Sequence, residues 1–194
     1  MAEDKKSEAD EPETDEYGLA IQKYESIVLL VVPPEAYSEE TLRYARSCLY
    51  NVHVGSRSVS EREDDLIKGR LQDEFQVDGP LAGETMEPYS GVIFVGGPGA
   101  ARLAENPEAV RLAREADAEG KLIGAWGESV GVLVRAGILK GRRLTGDPSL
   151  EREIREARGK YTGNQVERDG HLVTGQDDSA GMRFGKALAQ VVGI

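Results

Sequence analysis

Residues 127–131 read GESVG, the G-x-S-x-G spacing that holds a serine nucleophile on a sharp strand-to-helix turn in esterases and lipases. In that chemistry the serine oxygen attacks an acyl carbon while a histidine takes its proton and an acid orients the histidine. Ser129, Asp147 and His171 occur in the Ser-Asp-His order that α/β-hydrolases use, and the GGPG of residues 96–99 could imitate an oxyanion loop. Three points weigh against acyl transfer. Only 65 residues follow Ser129, too few for the usual complement of strands and helices in that fold. His171 stands in RDGHLVTG, where the Asp-Gly pair predicts an exposed hairpin turn. A serine in the first turn of a helix commonly satisfies free backbone N–H groups instead.

Glu128 opens the same helix, where the dipole stabilises a carboxylate. That position suits binding a cation or a polar ligand, or simple capping, better than general-acid work. GGPGAA at 96–101 is not a Walker loop, because no Lys-Ser/Thr follows, and it fails the G-x-G-x-x-G spacing. Its close glycines either let backbone N–H groups face an anion or oxyanion, or let the next helix pack tightly on the sheet; both readings stay open. Cys48, the single cysteine, falls on the apolar face of a helix and reads as a small hydrophobe. His53 lies in an alternating segment read as strand. No His/Asp/Glu grouping has metal-ligand spacing, so no metal and no other cofactor is expected.

The elements that must position these residues alternate between strand and helix. SIVLLVV at 26–32 is a β-branched apolar run, the mark of a strand buried on both faces. SEETLRYARSCLY at 38–50 has helical spacing with Ser38 as N-cap, and NVHVGSRS at 51–58 alternates as a second strand. Residues 59–70 are charged and read as a turn or surface insertion. DEFQVDGPLAG at 73–83 reads as a short hairpin or strand pair, with Asp78-Gly79 as turn chemistry. SGVIFVGGPGAARL gives another buried strand and a glycine-rich turn. NPEAVRLAREADAEG then gives a helix with Asn106 as N-cap, Pro107 at its first position and Gly120 as terminator. KLIGAW is a buried strand, and ESVGVLVRAG a helix ended by Gly137. A short helix at 150–157, a hairpin at RDGHLVTG and a last helix at 179–192 complete the chain. This pattern predicts an open, mostly parallel sheet with helices on both faces and a site beyond the carboxyl ends of the strands.

Composition narrows the classes. Residues 1–16 hold eight acids and two lysines, carrying −6 of the formal −11, and lack the apolar residues that ordering requires. Residues 1–24 are therefore expected to form an acidic, disordered tail, and residues 25–194 one domain. No basic stripe suits nucleic acid, and no apolar run suits a membrane span or a signal-peptide core. The expectation is a soluble cytoplasmic protein.

YSGVIFVGGPGAARLAENPEAVRLAREADAEGKLIGAW, then VRAGILKGRRLTG and ERDGHLVTGQ, resembles the ThiJ/PfpI family of the class I glutamine amidotransferase-like superfamily. The resemblance runs from about residue 26 to the C-terminus. It implies a flavodoxin-like three-layer α/β sandwich and a homodimer. Relatives include cysteine-dependent hydrolases, glyoxalase- or deglycase-like enzymes, chaperones and stress proteins. In that family an A-x-C-H-G elbow precedes AGxLKGR. An ungapped count back from Ala136-Gly137 puts its slots on Ala125, Trp126, Gly127, Glu128 and Ser129, with glycine in the nucleophile slot and glutamate in the histidine slot. The family's glutamate after an aromatic aligns Tyr37 with the aromatic and Ser38 with the acid; a shift of one brings Glu39, and Glu35 also lies near. Related peptidases carry WSAG at the elbow, which again puts Gly127, not Ser129, in the serine slot. The expectation is a member without the reactive pair, non-catalytic, with a stress-related, interaction or small-molecule-binding role. Its pocket is expected to be built by Tyr37, Ser38, Gly96, Gly97, Pro98, Gly127, Glu128 and Ser129. The alternative is a hydrolase or a glyoxalase/deglycase-like lyase that uses Glu128 or Ser129 in place of the thiol.

Overall fold

The computed structural model describes residues 24–61 and 66–192. The expected acidic tail, Tyr24 apart, lies outside the described residues. The apolar run forms β1 (Ser26–Val31). Leu29 and Val31 enter one hydrophobic core and Val28 and Leu30 another, so this strand is covered on both sides. The chain continues through β2 (Glu35–Tyr37), helix α1 (Glu39–Tyr50), β3 (Val54–Ser60), β4 (Leu66–Gly69), β5 (Glu74–Gln76) and β6 (Gly79–Pro80). Then come β7 (Gly91–Phe94), a 3-10 helix (Pro98–Glu105), α2 (Pro107–Ala118), β8 (Leu122–Trp126) and α3 (Val130–Ala136). The last part holds β9 (Arg143–Leu144), α4 (Glu151–Glu156), β10 (Lys160–Tyr161), β11 (Val166–Asp169), β12 (Leu172–Gly175) and α5 (Gly181–Val192).

Seven strands form the main sheet in the order β11-β12-β8-β7-β1-β3-β6. Every neighbouring pair is parallel except the β11–β12 hairpin at one edge. Helices α2 and α3 cover one face through Leu112, Ala113, Val132 and Leu133, and α1 and α5 cover the other through Leu42, Leu49, Phe184 and Leu188. Each buried leucine or phenylalanine contributes about 1.5–3 kcal/mol relative to exposure. This is the expected flavodoxin-like sandwich. The start of α2 and the end of α3 also follow the sequence: Asn106 accepts from the N–H groups of Glu108 and Ala109, and Gly137 closes α3 at φ 73°. Helix α3 itself begins at Val130, after a 3-10 turn at Gly127–Ser129, rather than at Glu128.

Several local expectations need correction. Part of the stretch read as an insertion, residues 66–69, is strand β4, which pairs with β5 and β2 in a separate three-stranded sheet. The Asp78-Gly79 pair does not turn a hairpin. Asp78 instead accepts from the N–H and hydroxyl of Ser58, and β6 joins β3 in parallel. His53 precedes β3 in a left-handed conformation, φ 58°, rather than lying within the strand. Ser38 occupies the N-cap position of α1, but its side chain makes no capping bond.

Candidate functional site

Three parallel strands end side by side at the carboxyl edge of the sheet, and each hands the chain to a turn that lines one pocket. β7 leads to Gly97 and Pro98, β8 to Gly127 and Glu128, and β12 to Asp177 and Asp178. Arg70 enters from the turn after β4 and Asp147 from the segment after β9. Trp126 completes a lining around a cavity of about 130 Å³. Four acidic residues and one arginine thus line the pocket, and Arg70 pairs with Asp178 at 2.8 Å. The indole Nε1 of Trp126 is buried, with no hydrogen-bond partner among the described residues, and its ring packs on Phe184 at 5.2 Å.

Gly127 makes the elbow. Its φ is 59°, and a Cβ built on it meets nothing within 4 Å. Backbone conformation, not lack of space, therefore favours glycine at this turn. The glycines of the other turn differ. A Cβ on Gly96 would lie 2.4 Å from the Trp126 carbonyl oxygen, and one on Gly99 would lie 1.8 Å from that of Glu35. Gly97 combines φ 115° with a contact of 2.6 Å to the Ala36 carbonyl oxygen. At these three positions glycine permits close packing: they let the turn press against β2 and the end of β8. The N–H of Ser38 donates to the Gly96 carbonyl at 2.8 Å and fixes that approach.

The serine, aspartate and histidine of the motif are not brought together. Ser129 is fully buried and in the 3-10 turn that precedes α3. Its oxygen accepts from the Trp126 N–H at 3.1 Å, and its hydroxyl faces the carbonyls of Phe94 at 2.8 Å and Trp126 at 2.9 Å. Asp147 lies at the pocket, where its carboxylate accepts from the Ser149 N–H. His171 precedes β12, whose first residue pairs with Ile123 near the start of β8. At a rise of about 3.3 Å per residue, it sits roughly a strand's length from the elbow. It is half-buried rather than exposed, with Nε2 3.1 Å from Asp117 Oδ1.

Among the alternatives for the acidic slot, the structure separates three fates. Ser38 is fully buried and donates to Asp178, whose carboxylate also pairs with Arg70 at 2.8 Å. Glu39 turns away beneath the β4–β5 turn, where Oε1 accepts from the Leu71 N–H at 2.6 Å. Glu35 points to solvent beside Arg102. The hydroxyl of Tyr37 donates to the Asp73 carbonyl at 3.3 Å, away from the elbow pocket. The Cys48 thiol is buried against Met182 Sδ at 3.6 Å, and burial pushes its pKa up, with Lys186 opposing. The sequence reading missed Arg70, Asp177 and Asp178. Arg70 sat in a stretch read as insertion. The DDS run after β12 was the signal for the acids, because an aspartate there caps a following turn: Asp177 accepts from the Ser179 N–H.

The sequence matches the DJ-1/PfpI family over residues 26–191. It is 26% identical over 168 residues to an uncharacterized protein of Methanocaldococcus jannaschii, covering 85% of this chain and 82% of that one. It is also 26% identical over 116 residues to a deglycase of Pyrococcus horikoshii, covering 60% and 70%. Among solved structures it resembles a ThiJ/PfpI domain protein from Brachyspira murdochii, with a TM-score of 0.81, 19% identity, and coverage of 86% and 95%. A two-domain protein of Anabaena variabilis with DJ-1/ThiJ/PfpI-like and ferritin-like domains also gives a TM-score of 0.81 at 22% identity, covering 87% of this chain. The chain spans about half (48%) of that longer protein.

Proposed function

We infer that this chain, which belongs to the DJ-1/PfpI family, is a member without covalent cysteine chemistry that holds a small polar ligand over its elbow. The observation that carries this reading is Gly127, at φ 59° on the turn between β8 and α3, where the family's nucleophile would stand. The only cysteine, Cys48, is on α1, buried, and held in the protonated form by its surroundings. The remaining pocket has donors and acceptors in place. Arg70 offers a donor, and Glu128, Asp147 and Asp177 favour N–H or O–H groups on the ligand. A volume of about 130 Å³ limits the ligand to a few heavy atoms, well below drug-sized pockets of about 300 Å³ and more.

The competing reading keeps an activity of the deglycase or hydrolase kind and assigns it to Glu128, which lines the pocket. Turnover of methylglyoxal by the wild-type chain, by Cys48→Ser and by Glu128→Gln separates the two. The non-catalytic reading predicts no consumption above the protein-free rate in any of the three. Consumption that survives Cys48→Ser and is lost in a folded Glu128→Gln would overturn it.

A further inference from the structure

Among the described residues, a cavity larger than the elbow pocket lies elsewhere. A cleft of about 600 Å³ opens between α1 and the β4–β5 hairpin, inside the size range of small-molecule sites. Rings form much of its lining. The Tyr24 ring lies against Gly55, where a Cβ would come within 2.8 Å of it, and meets Tyr50 edge-on at 6.5 Å. Tyr37 and Phe75 pack at 5.8 Å on the other side.

Glu39 also lines this cleft, with its carboxylate buried behind the lining, beneath the β4–β5 turn. It is only 6% exposed. Oε1 is held by the Leu71 N–H, while Oε2 is buried with no hydrogen-bond partner among the described residues. Gly69 makes the room, since a Cβ on it would lie 2.0 Å from Oε1. An uncompensated buried carboxylate is costly unless a cation or donor meets its charge. Asp73 and Glu74 put two more negative charges on the hairpin side, opposite Arg43 and Arg46 on α1. The Arg46 guanidinium already lies 5.4 Å over the Phe75 ring, so one ring face of this cleft carries a cation.

We propose that this cleft binds an organic cation, an amine with an aromatic or apolar body, whose charge sits toward Glu39 and the hairpin while its body lies against the tyrosine rings. Aromatic faces attract ammonium groups through the ring quadrupole, and a nearby buried carboxylate selects the charged form over a neutral isostere. The pKa of Tyr37 agrees with this polarity: burial first, then the charges of Glu39 and Asp73, push it up to about 12. The site is separate from the elbow pocket and does not rest on the reading given for it.

The test titrates benzylammonium and benzyl alcohol into the isotopically labelled full chain and follows backbone amide shifts. Saturable shifts at Tyr24, Tyr50, Gly55 and Phe75 are expected, with a dissociation constant on the order of 1 mM for the amine and about ten-fold weaker for the alcohol. Glu39→Gln should remove that preference, and Phe75→Leu, which leaves Glu39 in place, should weaken both probes. Equal affinity for the two probes, or shifts confined to the Gly127 pocket, would overturn the proposal. So would shifts that follow protein rather than amine concentration, the mark of a second copy seated in the cleft.

Discussion

Gly127 carries the proposed reading, and its surroundings make a sharp prediction. A side chain at φ 59° costs on the order of 1 kcal/mol, yet space exists for one. Gly127→Cys should therefore fold with about that loss in urea unfolding and add one thiol that reacts quickly with a disulfide reagent, while Cys48 reacts slowly until the chain unfolds. Gly99→Ala should behave oppositely. Its Cβ would meet the Glu35 carbonyl at 1.8 Å, and backbone cannot swing aside, so a loss above about 3 kcal/mol or failure to fold is expected. Equal costs at both glycines would contradict the distinction between a turn chosen for conformation and one chosen for close approach.

Ser129 belongs to the scale of elements, because its one oxygen ties β7, β8 and the entrance to α3 together. Ser129→Ala leaves the buried Trp126 N–H without that acceptor and should cost about 1–3 kcal/mol by chemical denaturation, whatever it does to ligands. The elements themselves were legible where a periodic pattern and a chain-local signal agreed. β1, β7 and β8 announced themselves as apolar runs, and α2 by its Asn106 cap, Pro107 and Gly120. The strand-to-helix turn at Gly127 was legible too, where the apolar run KLIGAW ends and the next helical stretch begins. What failed depended on distant partners. Asp78-Gly79 looks like a hairpin turn until Ser58 claims the Asp78 carboxylate, and β4, four residues long after a charged run, is too short to declare itself without β5. The Ser38–Asp178–Arg70 group joins residues far apart in the chain, and no local spacing encodes it.

At the scale of the whole molecule, the fold places two different cavities on one sandwich, one at the strand ends and one behind the hairpin. Its stability should fall on the alkaline side for an identifiable reason. Tyr37 and Tyr89 are both pushed up to about 12, each by burial first, with Glu39 and Asp73 adding to Tyr37 and a hydrogen bond to Glu84 adding to Tyr89. Unfolded tyrosines ionise near 10, so between about pH 10 and 12 the native state binds more protons than the unfolded one. Their contribution is therefore fully present below about pH 10 and is lost as pH rises toward 12, on the order of 2 kcal/mol for each ring. Urea unfolding across this range should show a steep decline in the wild type and a flatter one in the Tyr37→Phe, Tyr89→Phe double variant. The central claim, that the elbow holds no working nucleophile, is tested most directly by intact-mass spectrometry of the full chain quenched during reaction with p-nitrophenyl acetate. The account predicts no rapid, stoichiometric acetyl adduct within residues 126–129. A burst of such an adduct on Glu128 or Ser129 would contradict it.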